Sequence, residues 1–283
     1  MTWVLWNDRL VKDEEIQLSK EDRGYQFGDG IYEVIRVYKG TMFTATEHIN
    51  RLYESADKIK LVIPFTKDVF HKMMYDLIEA NEVDTGQVYL QITRGSTPRV
   101  HQFPEASVEP VLTAYTKEFA RPVAQMTTGV AVKTVEDIRW LRCDIKSLNL
   151  LGNVLAKQEA YEAECFEALL HRGDLITEGS SSNMYGIKDG VLYTHPATNL
   201  ILNGITRRVL LDCCEEIGLE VVEEPMSLSE VYSNEEFFMS STTSEVMPIV
   251  MIDGKQVGTG APGEWTKKLQ AAFEAKINQA ITV

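Results

Sequence analysis

The residues around Lys146 are the most informative stretch of this 283-residue chain; positions 139–149 read RWLRCDIKSLN. A lysine amine is chemically idle in water, because its pKa of about 10.4 keeps it protonated near neutral pH. Arg139 and Arg142 add positive charge, and Trp140 adds apolar surface. Both favour loss of the proton, and the free amine then forms an imine with an aldehyde. For one lysine seen alone, a surface lysine after a strand is the ordinary interpretation, but together with residues elsewhere in the chain the segment predicts a Schiff-base lysine.

The composition limits the kinds of partner that this protein is expected to bind. Hydrophobic residues make up 44% and charged residues 25% of the chain, as in ordinary globular proteins. A formal net charge of −14 repels nucleic acid phosphates and acidic membrane surfaces, so neither is expected as a partner. The four cysteines and five histidines lack the spacing of a metal site. No signal peptide or membrane-spanning run is recognised, so a cytoplasmic protein is expected.

Hydrophobic periodicity predicts an α+β protein in two domains. In the first half it predicts a hairpin, two helices and further strands, with Thr46 as the N-cap of the first helix. Helices beside a mostly antiparallel sheet give the α+β layout. The pattern then lapses, so we expect an N-terminal domain over residues 1–118, a linker over 119–124 and a C-terminal domain over 125–283.

The second half shows the same alternation of elements. We predict a strand over residues 130–135, a helix over 153–163, a helix from residue 205 and a last amphipathic helix over 264–277. Residues 177–183, which read TEGSSSN, are expected to form a tight polar turn.

An imine-forming lysine requires a carbonyl cofactor, and pyridoxal phosphate is the common one. It needs cation and amide donors for its phosphate and a carboxylate for its pyridine nitrogen. Glu178 is a candidate for that carboxylate, or a solvated loop acid. Gly204 precedes a helix start, where free amides bind anions, unless this is an ordinary N-cap. The hydroxyl-rich residues 240–245 offer more donors, or form a capping turn.

The substrate carboxylate requires a clamp as well. Arg99 and His101 lie in a loop after a strand, and an arginine fork holds a carboxylate with two hydrogen bonds. The alternative is a mobile surface loop. Tyr32 either adds its hydroxyl to this clamp or fills the core. Arg51 lies on the first predicted helix, where an exposed arginine is the ordinary interpretation.

Together, these segments resemble the fold-type IV pyridoxal phosphate enzymes of the class IV aminotransferase family. The similarity is greatest to the D-amino-acid aminotransferase (D-alanine aminotransferase) branch. The matching segments are residues 22–30, 139–149, 177–183 and 240–245, which read DRGYQFGDG, RWLRCDIKSLN, TEGSSSN and SSTTSE. They occur in the family's order over nearly the whole chain. The segment 93–101 points to the D-amino-acid branch.

The resemblance implies a smaller N-terminal domain, a larger C-terminal domain with a β-barrel-like sheet, and pyridoxal 5′-phosphate at the domain interface. It implies that Lys146 forms the Schiff base and that Glu178 pairs with the pyridine nitrogen. The residues implied to bind the phosphate are Arg51, Ile205, Thr206, Ser241 and Thr242.

The resemblance also assigns the substrate site. Tyr32, Arg99 and His101 are implied to hold the α-carboxylate, and Ser181 and Ser182 to belong to the hydrogen-bonded shell near the cofactor. In the family, the loop that bears Arg99 and His101 reaches in from the partner subunit. A homodimer is therefore implied.

The implied activity is a ping-pong transamination of D-amino acids, in which D-alanine and 2-oxoglutarate give pyruvate and D-glutamate. Lys146 is the implied base that moves the α-proton. Two alternatives share the fold, a branched-chain L-amino-acid aminotransferase and an aminodeoxychorismate lyase. A third is an acidic binding protein without cofactor or catalysis.

Overall fold

The computed structural model describes residues 2–282, which divide into two compact units. The first comprises residues 2–120, Ile145–Asn149 and 280–282, and the second comprises Arg121–Asp144 and Leu150–Gln279. The domain boundaries expected from sequence remain a prediction. The compact units differ from them mainly at Ile145–Asn149, which carries Lys146 and groups with the first unit.

An antiparallel sheet and two long helices build the first unit. The strands are β1 (Trp3–Trp6), β2 (Arg9–Lys12), β3 (Gly30–Tyr38), β4 (Thr41–Met42), β5 (Gly86–Thr93) and β6 (Val111–Glu118). They lie in the order β2-β1-β6-β5-β3-β4. The helices are α1 (Arg23–Phe27), α2 (Ala45–Lys58) and α3 (Lys67–Ala80), with a 3₁₀ turn at Asp13–Glu15.

Alternation along β3 sets the core of this unit. Ile31, Glu33, Ile35 and Val37 are 0% exposed, because successive strand residues point to opposite faces and these share one. The apolar members join the core that α2 and α3 cover. As the helical spacing predicted, α3 buries Phe70, Met73, Met74, Leu77 and Ile78. Glu33 is therefore a charged residue inside an apolar layer.

The start of α2 differs from the prediction. Thr46 was the expected N-cap, but Thr44 occupies that position, with φ +53° and no side-chain capping bond. The Thr44 hydroxyl instead donates to the carbonyl of Phe43, over 2.7 Å. Ala45 is buried one turn before Ile49, so the apolar stripe of the helix begins earlier than the larger side chains indicate.

A larger mixed sheet forms the second unit. Its strands are β7 (Val130–Glu136), β8 (Glu167–Arg172), β9 (Leu175–Gly179), β10 (Asn183–Lys188), β11 (Val191–Thr194), β12 (Glu220–Glu223), β13 (Glu236–Ser241), β14 (Glu245–Ile252) and β15 (Lys255–Gln256). The order is β12-β11-β10-β13-β14-β7-β8-β9, and β15 pairs with β14. The helices are α4 (Val123–Thr128), α5 (Leu151–Glu162), α6 (Ile205–Glu216), α7 (Leu228–Val231) and α8 (Glu264–Ala280).

The connection from β9 to β10 shows that this sheet curls. β9 lies at one edge and β10 lies five strand spacings away, which is about 24 Å in a flat sheet. The turn of residues 180–182 spans at most about 14 Å. The Gly179 amide also donates to the carbonyl of Ser182, over 2.6 Å. The edge therefore returns toward the middle of the sheet, which confirms the expected barrel-like form.

Residues 177–183 were predicted as a turn, and this was wrong in part. Thr177 and Glu178 belong to the buried end of β9, and only residues 180–182 turn. The strand continues because tertiary partners satisfy its polar side chains; Thr177, for example, donates to Asp137 over 3.0 Å. The predicted strand at residues 130–135 and helices at 153–163, 205 and 264–277 are confirmed as β7, α5, α6 and α8. Among the described residues, no helix has the length and apolar character to cross a membrane.

Substitutions on α2 test both the core and the corrected helix start. Leu52, which is 0% exposed, should lose about 3 kcal/mol of unfolding free energy when changed to Ala, because a cavity remains. Thr46→Ala on the same helix should change it by less than about 0.5 kcal/mol, since the exposed side chain caps nothing. Urea unfolding followed by circular dichroism measures both. A loss from Thr46→Ala as large as a lost cap would contradict the assignment of Thr44.

Candidate active site

The backbone around Lys146 pairs with the start of β3. The Tyr32 amide donates to the carbonyl of Lys146 over 3.0 Å, and the Leu148 amide donates to the carbonyl of Gly30 over 3.0 Å. Ile145 is buried in the core of the same unit. Hydrogen bonds on both sides and an apolar anchor therefore fix the main chain that carries the amine.

The side chain of Lys146 is half-buried beside an aromatic ring. Its Nζ lies 4.2 Å from the centre of the Tyr32 ring. Its backbone amide donates to the hydroxyl of Ser55 on α2, over 3.3 Å. Tyr32 in turn stacks on Tyr89 of β5, with ring centres 5.9 Å apart. The structure thus brings together two of the residues predicted from sequence, Lys146 and Tyr32.

Arg51 is buried, so its interpretation as an exposed helix arginine is wrong. Its Nε and Nη2 donate to the two carboxylate oxygens of Glu33, over 2.7 and 2.9 Å. Glu33 Oε2 also lies 2.8 Å from Nδ1 of His48. Since a carboxylate only accepts, His48 must donate through Nδ1. A bidentate pair and a histidine therefore hold the guanidinium in one orientation.

Burial and charge act in opposite directions on this group. Burial alone raises the pKa of Glu33, but Arg51 and His48 outweigh it and hold that pKa well below its ordinary value. Burial lowers the pKa of His48, against the attraction of Glu33. Near neutral pH the group therefore contains one carboxylate, one guanidinium and a neutral imidazole. Sequence analysis missed Glu33 and His48, although Glu33 stands out as a charged residue at an inward position of β3.

Arg99 and His101 lie in the loop after β5 and are exposed. The Arg99 guanidinium carbon lies 4.8 Å from the centre of the Phe27 ring. His101 meets the same ring edge-on, with centres 5.6 Å apart and planes at 76°. The structure thus brings the two clamp candidates together on Phe27 of α1, while Tyr32 packs against Lys146 and Tyr89.

Glu178 lies at the end of β9 and is 5% exposed, so it is not a solvated loop acid. Its Oε1 accepts from Arg139 over 2.7 Å, and its Oε2 accepts from the Leu202 amide over 3.0 Å. Asn183 donates to the same Oε2 over 3.2 Å. Burial raises the pKa of Glu178 to about 7, although Arg139 and the Leu202 amide favour the carboxylate. This is a carboxyl group that gains or loses a proton near neutral pH.

Arg139 divides its charge between two acids. It binds Asp137 through Nε and Nη2, over 2.9 and 2.8 Å, in addition to Glu178. Burial opposes ionisation of Asp137, but Arg139 and Arg172 bring its pKa down to about 2. Arg142, the other arginine of the lysine segment, pairs with Asp144 at the surface. Both arginines were expected to add positive charge around Lys146. Both instead form ion pairs with carboxylates of the second unit.

The start of α6 offers uncapped amides. Gly204 is the N-cap, and as a glycine it has no side chain that could bond to the first amides of the helix. Ile205 and Thr206 are 2% and 7% exposed. A Cβ at position 204 would lie 2.3 Å from Oδ1 of Asn183, so this approach requires glycine. An anion at this point would meet backbone N–H groups and the positive end of the helix dipole.

Asn183 connects these parts of the second unit. Its amide donates to the carbonyl of Leu202 over 2.9 Å, besides Glu178. On β10 it lies opposite Ser240, which precedes Ser241 and Thr242 at the end of β13. The Ser241 hydroxyl accepts from the Ser244 amide over 3.0 Å. The predicted carboxylate, helix start and hydroxyl turn therefore group around one amide that the sequence analysis did not single out.

Ser181 and Ser182 bind a buried acid, Glu167, that the sequence analysis also missed. Their hydroxyls donate to Glu167 Oε2 over 3.1 and 3.2 Å. Ser180 donates to Oε1 of the same carboxylate over 2.5 Å. Glu167 is 2% exposed at the start of β8. The three serines thus orient the turn between β9 and β10, and a role toward a cofactor stays a prediction.

Each unit by itself carries groups of the kinds that bind pyridoxal phosphate. The first unit supplies the amine and a buried guanidinium. The second supplies a buried carboxyl group with a pKa near neutrality, uncapped helix amides at a position that only glycine fits, and hydroxyl groups. Among the described residues, no group of histidine, cysteine, aspartate and glutamate side chains could hold a metal ion.

Comparison with known proteins decides the family. The sequence profile of "Amino-transferase class IV" matches residues 30–252. This chain belongs to the class IV aminotransferases. Class IV aminotransferases are pyridoxal 5′-phosphate enzymes, so this chain is a pyridoxal phosphate-dependent aminotransferase, as the resemblance implied.

Individual relatives agree with the family assignment. The chain is 50% identical to D-alanine aminotransferase of Bacillus licheniformis, over 97% of this chain and 96% of that protein. It is 51% identical to D-alanine aminotransferase of Listeria innocua, over 98% and 96%. Among solved structures, the branched-chain amino acid aminotransferase from Escherichia coli is 26% identical and superposes with a TM-score of 0.88, covering 97% of this chain and 93% of that one.

The buried Glu33 group gives a prediction for stability. Glu33→Gln should lower the unfolding free energy by about 3 kcal/mol, because it leaves the Arg51 guanidinium buried without its counter-charge. The matched control is Asp76→Asn, which breaks the exposed Lys72–Asp76 pair and should cost less than about 0.5 kcal/mol. Urea unfolding of both variants measures the difference. Equal losses would show that Glu33 does not compensate Arg51.

Proposed function

We propose that this aminotransferase acts on D-amino acids, with D-alanine and 2-oxoglutarate giving pyruvate and D-glutamate. The observation that carries this proposal is the contrast in identity. The chain is 50–51% identical to D-alanine aminotransferases over nearly their full length, but 26% identical to a branched-chain enzyme of the same fold. The loop with Arg99 and His101 supports the D-amino-acid branch. Branched-chain transamination is the main alternative.

In the proposed reaction, Lys146 both holds the cofactor covalently and moves the proton. Bound pyridoxal phosphate supplies an electron sink for the charge left on the substrate α-carbon. The free Nζ of Lys146 would accept the α-proton of the bound substrate. The hydrogen bonds to β3 fix the backbone of Lys146, so the amine reaches one face of the substrate. Stereochemistry follows from this placement.

Glu178 is proposed as the partner of the pyridine nitrogen. A carboxylate there keeps that nitrogen protonated. The pKa of about 7 means that a cationic neighbour easily draws Glu178 into the charged form. Arg139, shared with Asp137, orients the carboxyl group without fully satisfying its charge. Because Arg139 also binds Asp137, Glu178 can accept a further hydrogen bond, as its proposed role requires.

The phosphate is proposed to bind Arg51, the amides and hydroxyl at the start of α6, and the hydroxyl turn after β13. These are the donors Arg51, Ile205, Thr206, Ser241 and Thr242. Glu33 fixes Arg51 in advance, so little conformational freedom is lost on binding. Ser181 and Ser182 are proposed to lie near the cofactor, with hydroxyls oriented by Glu167.

The substrate α-carboxylate is proposed to bind Tyr32 together with Arg99 and His101 of the partner subunit in a homodimer. An apolar surface in the second unit supports dimerisation. Its members lie on residues 138–141 and on α5, and include Ile138 (65% exposed), Leu141 (62%), Leu151 (72%) and Val154 (59%). Contiguous apolar surface is seldom left in water, and a second copy is the proposed cover. The enzyme is proposed to work in the cytoplasm.

A chiral assay tests the substrate. With D-alanine and 2-oxoglutarate the enzyme should form pyruvate and D-glutamate. Its kcat/KM for D-alanine should exceed that for L-leucine by at least about 100-fold, which is about 2.7 kcal/mol of transition-state binding. Aminodeoxychorismate should yield no pyruvate. Preference for L-leucine would instead favour the branched-chain alternative, and a colourless protein that binds no pyridoxal phosphate would favour the non-catalytic one.

Covalent mapping tests Lys146. Borohydride reduction of the holoenzyme should leave the cofactor on the peptide that contains Lys146, because reduction makes the imine bond permanent. Lys146→Ala should lose this adduct and at least about 1,000-fold in kcat. Lys117→Ala, at an exposed position of β6, is the control and should keep both. An adduct on another lysine would refute the assignment.

A further inference from the structure

The loop that carries Arg99 and His101 is unusually long for a connection between neighbouring strands. It runs over residues 94–110, from the end of β5 to the start of β6. Loops longer than about 15 residues are uncommon in compact proteins and are usually functional. The side chains of Arg99 and His101 are exposed, and a long exposed arginine loses rotamer entropy when it is fixed. A clamp on such a loop therefore needs a support.

Arg23 holds the main chain of this loop. Its Nη1 donates to the carbonyl of Val100 over 2.7 Å, and its Nη2 donates to the carbonyl of His101 over 3.3 Å. The Arg23 side chain is 4% exposed, and its Nε donates to Asp29 over 2.8 Å. Asp29 also accepts from Arg94, at the root of the loop, over 2.9 Å. The backbone that bears both clamp side chains is thus fixed by a buried cation.

Phe27 supports the side chains themselves. Its ring lies 4.8 Å from the Arg99 guanidinium carbon and 5.6 Å from the centre of the His101 ring. A guanidinium over an aromatic face is attracted by the negative potential of the ring. An edge-on pair of rings adds a further contact. One half-buried side chain therefore orients the two residues that flank Val100.

We propose that Phe27 is the positioning residue of the substrate-carboxylate clamp, holding Arg99 and His101 ready to bind an α-carboxylate. This proposal rests on the proposed function, since it takes Arg99 and His101 as the clamp. Phe27 touches neither substrate nor cofactor; it acts by limiting the freedom of the two groups that do. Its effect belongs to carboxylate binding and not to proton transfer.

The test compares Phe27→Leu with Phe27→Tyr in the holoenzyme. Leu keeps apolar volume but removes the ring, whereas Tyr keeps the ring. Phe27→Leu should raise KM for D-alanine about five-fold, with kcat and cofactor affinity changed less than about two-fold. Phe27→Tyr should leave the KM for D-alanine at its wild-type value. D-alaninamide, which lacks the carboxylate, should react equally well with wild-type and Phe27→Leu enzyme.

A double variant that lacks both clamp side chains separates this proposal from the proposed function. In Arg99→Ala/His101→Ala, KM for D-alanine should already be high, and adding Phe27→Leu should raise it no further. If that double variant keeps the wild-type KM, the clamp assignment itself fails. If it loses affinity while Phe27→Leu does not, only the role of Phe27 is overturned. An equal effect of Phe27→Leu on D-alanine and D-alaninamide would also overturn the role of Phe27. So would a KM for D-alanine that Phe27→Tyr raises as much as Phe27→Leu does.

Discussion

The pairing of the lysine segment with β3 is the constraint on which the first half of the site depends. Two hydrogen bonds fasten residues 146–148 to Gly30 and Tyr32. Because successive strand residues point to opposite faces, β3 then presents Tyr32 toward Lys146 and sends Glu33 inward to Arg51. A slip of one residue would exchange these two side chains. The register of one strand thus sets both the neighbour of the amine and the support of the guanidinium.

Two buried glutamates show how neighbours decide the charge of a carboxyl group. Glu33 is fully buried, yet its bonds with Arg51 and His48 lower its pKa. Glu178 is buried almost as deeply, but its cation is shared with Asp137, and burial raises its pKa to about 7. The first carboxylate is a permanent structural charge. The second stays responsive to a further cation, which is what its proposed role toward the pyridine nitrogen requires.

Local pattern was sufficient for much of the fold, and tertiary contacts explain what it missed. Helix α3 followed from apolar spacing alone, since it buries the five side chains that the spacing marks. The start of α2 was misplaced because small, buried Ala45 carries little hydrophobic signal. Thr177 and Glu178 were assigned to a turn because their polar side chains concealed a strand whose partners, Asp137 and Arg139, lie some 40 residues earlier. Lys146, Arg51 and Glu178 were predicted from chemical type and resemblance, whereas Glu33, His48 and Asn183 stand out only through the contacts that they make.

The segment 22–30 explains why a motif without reactive groups marks this family. Asp22 caps α1 through the amides of Gly24 and Tyr25 and accepts from Thr93. A Cβ on Gly24 would lie 2.3 Å from the Thr93 methyl carbon, so the helix approaches β5 closely only with glycine there. Arg23 and Asp29 then hold the loop of residues 94–110. The side chains of Asp22, Arg23 and Asp29 thus fix the position of residues elsewhere in the first unit. The motif therefore acts through geometry: its side chains and Gly24 set the position of β5 and of the loop that follows β5.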